Sequence, residues 1–278
     1  MILYKIMKKC VALLLAGTMV LWLPGTELLA QAATPTYMVM VNRQENCVTV
    51  YKKDSEGNYT VPYKAMTCST GGELTPLGTY KVPIKYEWRA LVEDTWGQYA
   101  TRIDGPYLFH SVPYDDQDPS TMLPGEFDKL GVAASHGCIR MTVEDAKWIY
   151  DNIAVGTTVT IYDDDNPGPL GKPETVKIGP DATWDPTDIW SEGNPYIDKS
   201  PEIQIQGALR IRLNQEEFDL MQGVSAISTT GEDITEQVVI EGAEGWMPEE
   251  TGVYRFVYHV MDKIGRETQR TRYVRVTR

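Results

Sequence analysis

Basic residues are scarce beside acidic ones: 26 Lys and Arg stand against 39 Asp and Glu, giving a formal net charge of −13. An acidic chain repels a phosphate backbone, so no nucleic-acid partner is expected. The chain also lacks the ~20 uninterrupted apolar residues of a membrane-spanning helix. Its one long apolar stretch, Val11 to Leu23, runs into Pro24 and Gly25. With Lys5, Lys8 and Lys9 before it and an Ala-x-Ala site at Ala30 and Ala32 after it, residues 1–32 read as a secretory signal peptide cleaved after Ala32. The mature product is expected to be secreted and extracellular. Cys10 follows Lys9 and not the small residue that precedes a lipidated cysteine, so no lipid anchor is expected. Removing three lysines and Glu27 leaves a still more acidic chain, long enough for one large or two modest domains.

Cysteine is sparse, with four in the chain, and Cys47, Cys68 and Cys138 remain once Cys10 is removed. An odd number in an exported protein marks a free thiol, here expected to be Cys138. Cys47 and Cys68 fall in consecutive strand-like runs, which suits either a disulfide across a hairpin or two buried thiols. Histidine is scarcer still: His110 precedes the Cys138 segment, His136 lies inside it, and His259 sits in a late strand-like run. Internal repeats and low-complexity tracts are absent. Asp163, Asp164 and Asp165 lack EF-hand spacing and read as a solvated acidic turn, so no metal and no cofactor is expected.

What is present is mostly β pattern. Tyr37–Val41, Cys47–Tyr51, Tyr63–Thr67 and Gly78–Val82 are short β-rich runs, separated by turn signals at Glu56-Gly57-Asn58, Ser69–Gly72 and Pro76-Leu77-Gly78. They suggest a meandering β domain. One segment breaks the rhythm: Thr142-Val143-Glu144-Asp145 has capping-box spacing, and Val143, Ala146, Ile149, Tyr150 and Ile153 repeat at helical intervals before Gly156. A helix is therefore predicted from about Val143 to Ile153. From Asp163 to Tyr196, Asp, Pro, Gly and Trp dominate without periodicity, which reads as an irregular extension and linker. From Ile197 onward, Glu202–Ile205, Leu209–Leu213, Gln237–Ile240, Gly252–Val260 and Arg272–Val276 suggest a small β-sandwich. The fold class expected is mainly β, with one helix after the cysteine.

Chemistry concentrates in Ser135-His136-Gly137-Cys138-Ile139-Arg140 and in Leu108-Phe109-His110-Ser111. A thiol needs a neighbouring cation or helix N-terminus to be a thiolate near neutrality. A protonated His110 and the helix starting near Val143 are the available sources. Gly137 lets the backbone turn, so that its own N–H and that of Cys138 can converge on an oxyanion. An imidazole held by a neighbouring carbonyl, here that of Ser111, can take a proton from the attacking group and return it to the leaving amine.

These residues resemble the YkuD-type L,D-transpeptidase catalytic domain, whose signature is an upstream histidine followed, after a variable loop, by Ser/Thr-His-Gly-Cys, an aliphatic residue and Arg or Asn. Cys68–Gly71 and Thr75–Tyr80 support the resemblance, which covers about residues 36 to 163. It implies that Cys138 is the nucleophile, His110 the proton carrier and the Ser111 carbonyl its orienting group, with His136 shaping the pocket. It further implies a peptidoglycan stem peptide as substrate, the cell wall as location, and carbapenem-type inhibitors as ligands of the thiol. Ser135 and Arg140 are candidate substrate contacts, Arg140 either binding a stem carboxylate or forming a structural ion pair. Trp88, Trp96, Tyr99 and Arg102 fall where relatives form a lid, and Trp96 and Tyr99 are candidate platforms for the stem. The loop from Val112 to Ala134 is longer than the family commonly shows. Residues 197–278 resemble bacterial immunoglobulin-like surface domains, which space or bind wall material. Hydrolysis by the same site, as an L,D-carboxypeptidase, and a noncatalytic wall-binding or adhesion role are the competing functions.

Overall fold

The computed structural model describes residues 35–278, so the signal peptide expected over 1–32 lies outside the described residues. The strands β1 (Tyr37–Asn42), β2 (Cys47–Lys53), β3 (Tyr59–Thr67) and β4 (Gly78–Lys81) come first. They are followed by β5 (Lys85–Ala90), β6 (Trp96–Asp104), β7 (Tyr107–Ser111), the short helix α1 (Pro124–Phe127), β8 (Ile139–Met141), helix α2 (Val143–Asn152) and β9 (Thr158–Tyr162). One sheet has the order β3-β2-β1-β9-β4, the other β5-β6-β7-β8.

The meander that the short runs suggested holds for β1-β2-β3 and for β5-β6-β7, each antiparallel in sequence order, but not for the rest of either sheet. β9 inserts between β1 and β4, pairing parallel with β1, and β8 pairs parallel with β7. Parallel neighbours require a crossover, which the segments containing α1 and α2 supply. Val39, Val41, Val48 and Val50 from the first sheet meet Phe109, Ile139, Ile149 and Ile153 from the second sheet and the α2 segment. All eight are fully buried, each contributing roughly 1.5–3 kcal/mol of transfer free energy.

Cys47 is paired with Thr67, which puts Cys68 one residue beyond the matching position. All three described cysteines are free, and Cys47 and Cys68 are the two buried thiols of the second alternative and not a disulfide. The long Val112–Ala134 loop is built around a second core of its own: Val112, Tyr114, Met122, Phe127 and Leu130 pack with Val143 and Val176.

Val176 belongs to the supposed linker. That stretch has no helix or strand, as its composition indicated, yet it straps the first domain. Thr67 Oγ1 donates to the Pro173 carbonyl, Val143 N–H donates to Asp185 Oδ2 at 2.7 Å, and Glu144 N–H donates to Thr187 Oγ1 at 3.1 Å. Thr142 caps α2 by accepting from the Asp145 amide at 3.2 Å. The first turn of α2 is thus occupied by Asp185, Thr187 and Thr142. Its first-turn amides find partners within the fold, and its dipole is complemented by a carboxylate.

The remaining strands are β10 (Glu202–Ile205), β11 (Arg210–Arg212), β12 (Val224–Ile227), β13 (Val239–Glu241), β14 (Gly252–Met261) and β15 (Glu267–Thr277). They form a two-stranded sheet, β10-β12, and a four-stranded sheet, β11-β15-β14-β13. Ile203 and Ala226 from the first share a core with Ile211, Phe256, Tyr258 and Val274 from the second. The buried Tyr258 hydroxyl is satisfied by donating to the Leu220 carbonyl at 2.6 Å.

Candidate active site

The register of β7 and β8 organises the site. Phe109 pairs with Ile139, His110 with Arg140 and Ser111 with Met141. Side chains alternate between faces along a strand and paired residues share a face. Phe109 and Ile139 point into the core, so His110 and Arg140 share the other face, and Cys138, two residues before Arg140, joins them. His110, Cys138, Arg140, Ser135, His136 and Tyr107 line one cavity of about 480 Å³.

His110 is buried, and its Nδ1 lies 2.6 Å from the Ser111 carbonyl oxygen. A carbonyl only accepts, so Nδ1 carries the proton and Nε2 keeps a lone pair. Burial is the main cause that pulls the imidazole pKa down to about 4; the Ser111 carbonyl opposes it and the Arg140 charge adds to it. The ring packs close against β6 because Gly97 has no side chain: a Cβ there would fall 2.9 Å from His110 Nδ1. Ser111 is braced in turn, its Oγ accepting from Gln98 N–H and donating to the Val112 carbonyl, both at 2.9 Å.

Cys138 is half-buried, with Sγ 3.7 Å from the Pro106 carbonyl oxygen. Burial pushes the thiol pKa up, against a backbone hydrogen bond from Leu108 and the charges of Arg140 and Arg102. The resting pair is therefore a neutral thiol and a neutral imidazole. Burial penalises both charged forms, which disfavours the protonated His110 and thiolate that the sequence suggested.

Ser135 shapes the turn into the nucleophile: its Oγ donates to the Cys138 carbonyl at 2.6 Å and accepts from Gly137 N–H at 3.0 Å. Of the two amides expected to converge on an oxyanion, that of Gly137 is thus already engaged. The need for glycine there is steric. Gly137 has φ +117°, and a Cβ would lie 2.6 Å from Tyr107 Cε1 and 2.8 Å from the Leu74 carbonyl. His136 is an exposed part of the cavity wall, Nε2 standing 3.8 Å from Glu93 Oε1.

Arg140 forms the structural ion pair. Its Nη1 is paired with Glu126 and donates to the Ala134 carbonyl at 3.0 Å, tying α1 and the turn before Ser135 to β8. Trp96 and Tyr99 do not line the cavity. Trp96 alternates away from the Gly97 face and packs on the second core, bonded through its backbone to Tyr114. Tyr99 packs beside Tyr150, ring centroids 5.6 Å apart and planes tilted by 56°. Sequence reading passed over the residues that take their place, Arg89, Leu91 and Glu93, and gave Arg102 no contact role. β5 and β6 pair as a hairpin that brings them to the cavity, a convergence that local spacing does not signal.

Residues 36–161 match the family model of the L,D-transpeptidase catalytic domain, YkuD. A putative L,D-transpeptidase, YciB of Bacillus subtilis, is 38% identical over 114 residues, covering 40% of this chain and 58% of the relative. The chain thus spans just over half the length of that relative. Among solved structures, an L,D-transpeptidase from Mycobacterium tuberculosis H37Rv is 25% identical with a TM-score of 0.35, covering 46% of this chain and 58% of its own. The L,D-transpeptidase LdtMt1, solved in complex with imipenem, is 19% identical with a TM-score of 0.37, covering 46% and 59%. The likeness to L,D-transpeptidases is therefore carried by the segment 36–161, which matches the YkuD catalytic-domain model.

Proposed function

We propose that the protein is a secreted peptidoglycan L,D-transpeptidase in which Cys138 is the nucleophile and His110 the proton carrier. The observation that carries this reading is the shared face of β7 and β8, where an imidazole fixed by the Ser111 carbonyl and a thiol line one cavity. The catalytic domain is assigned to residues 36–163, the strap to 164–196 and an immunoglobulin-like module to 197–278.

Because His110 is neutral near pH ~7, its Nε2 is free to take the thiol proton as sulfur bonds to the carbonyl carbon of the third stem residue. Collapse of the tetrahedral intermediate breaks the C–N bond to D-alanine, whose nitrogen recovers that proton from Nε2. A thioester on Cys138 remains. An acceptor amine from another stem then attacks it, His110 takes the amine's proton, and expulsion of the sulfur yields a 3,3 cross-link and a reprotonated thiol. A carbapenem would acylate the same sulfur.

Incubation with disaccharide tetrapeptides, followed by mass spectrometry, tests this reading, with Cys138→Ala as control. A dimer lacking one D-alanine supports transpeptidation. A tripeptide alone marks an L,D-carboxypeptidase, and no product together with no adduct on Cys138 marks a noncatalytic wall-binding or adhesion protein.

A further inference from the structure

The C-terminal module turns a basic face to solvent in a chain of net charge −13. In the ladder of β11, β15 and β14, Arg210 pairs with Arg275, which pairs in turn with Val253; Arg212 pairs with Thr277, and Tyr273 with Arg255. Paired residues share a face, so these form neighbouring rows on one side of the sheet. Ile211, Val274 and Val276 alternate with them and are buried, which fixes the arginines outward. All four arginines are exposed, and Tyr273 between them is 63% exposed.

Among the described residues, the ion pairs within 4.0 Å include none of Arg210, Arg212, Arg255 and Arg275. Arg255 donates to Thr271 Oγ1 at 3.4 Å, a neutral partner. Arg210 and Arg275 sit side by side on strands about 4.8 Å apart, and like charges directly opposite are destabilising. An anion bridging them relieves that repulsion. A carboxylate keeps both oxygens in one plane, which a single guanidinium fork covers. A phosphodiester unit, with its two unesterified oxygens, is covered by one fork in the same way, so rows of forks at strand spacing match successive charged units along a chain, and arginine is the side chain suited to phosphate recognition.

We propose that Arg210, Arg212, Arg255 and Arg275, around Tyr273, bind a flexible chain of phosphodiester units and hold the protein on such a polymer. Flexibility matters because the acidic remainder of the molecule repels a long stiff polyanion, whereas a flexible chain is confined to the patch. The proposal is independent of the chemistry at Cys138.

Long-chain inorganic polyphosphate is the probe, titrated into the protein by calorimetry at several salt concentrations. Four phosphate contacts give a slope near −3 in log affinity against log salt, a loss of roughly fiftyfold between about 50 and 200 mM. The double variant Arg210→Gln/Arg275→Gln is expected to bind at least tenfold more weakly with a shallower slope, at an unchanged unfolding midpoint. Arg275→Lys keeps the slope and loses affinity, since charge survives and the fork does not. Unchanged affinity when all four arginines are replaced by glutamine overturns the proposal. Binding of polyglutamate or duplex DNA as tight as that of polyphosphate overturns it equally.

Discussion

His110 and Arg140 stand opposite each other in the parallel ladder of β7 and β8, and this pairing puts Cys138 on the same face as the imidazole. The charged partner is Arg140, whose guanidinium helps keep His110 neutral while being held by Glu126. The site thus rests as an uncharged thiol and imidazole beside a neutralised arginine.

That resting state sets the pH behaviour. Alkylation of Cys138 by iodoacetamide is expected to accelerate with pH toward a midpoint above the ~8.5 of a free thiol, with slow reaction between about pH 6 and 7. A plateau already reached near pH ~6 would mean a standing thiolate–imidazolium pair. Turnover is expected to fall as pH drops through about 4, where His110 gains a proton and loses its lone pair.

Gly137→Ala should lower stability by about 2 kcal/mol or more and slow acylation of Cys138 at least tenfold, since the new Cβ meets Tyr107 and the Leu74 carbonyl. Gly57→Ala is the control. It has φ +89° with nothing within 4 Å, so only the backbone penalty of about 1 kcal/mol applies. Equal urea midpoints for the two variants would refute the steric reading.

Asp185 offers a test of the strap. Burial raises its pKa from 3.8 to about 6, against the hydrogen bonds from Thr187 and Val143. A carboxyl raised in the folded state contributes stability that is full below pH 3.8 and lost as pH rises through about 6. Asp185→Asn cannot titrate, so its stability should gain on the wild type over that window, on the order of 3 kcal/mol. Parallel pH profiles of denaturation midpoint would contradict this.

With Cys47 and Cys68 unpaired, a reducing agent should leave the thermal midpoint unchanged. A disulfide closing that hairpin would be worth about 2–4 kcal/mol, and its reduction would lower the midpoint by several degrees.

What the sequence disclosed was local in the chain. The Ser135–Arg140 motif, the cap at Thr142 and most strand cores follow from spacing within a few residues, and α2 begins and ends within one residue of the predicted span. What it concealed depends on partners far apart. β9 inserts between β1 and β4, Gly97 makes room for an imidazole on the next strand, and Asp185 caps a helix 42 residues upstream. Trp96 and Tyr99 misled for the same reason: aromatic character suits a lid or a core alike, and the register of β5, β6 and β7 decided for the core.

The division of labour between Cys138 and His110 is tested most directly by the intact mass of the protein after brief exposure to a tetrapeptide donor without acceptor. The wild type is expected to gain the mass of the donor less D-alanine, located on Cys138 by peptide mapping, with none on Cys138→Ala and a rate at least a hundredfold lower in His110→Ala. An adduct elsewhere, or normal acylation without His110, would contradict the account.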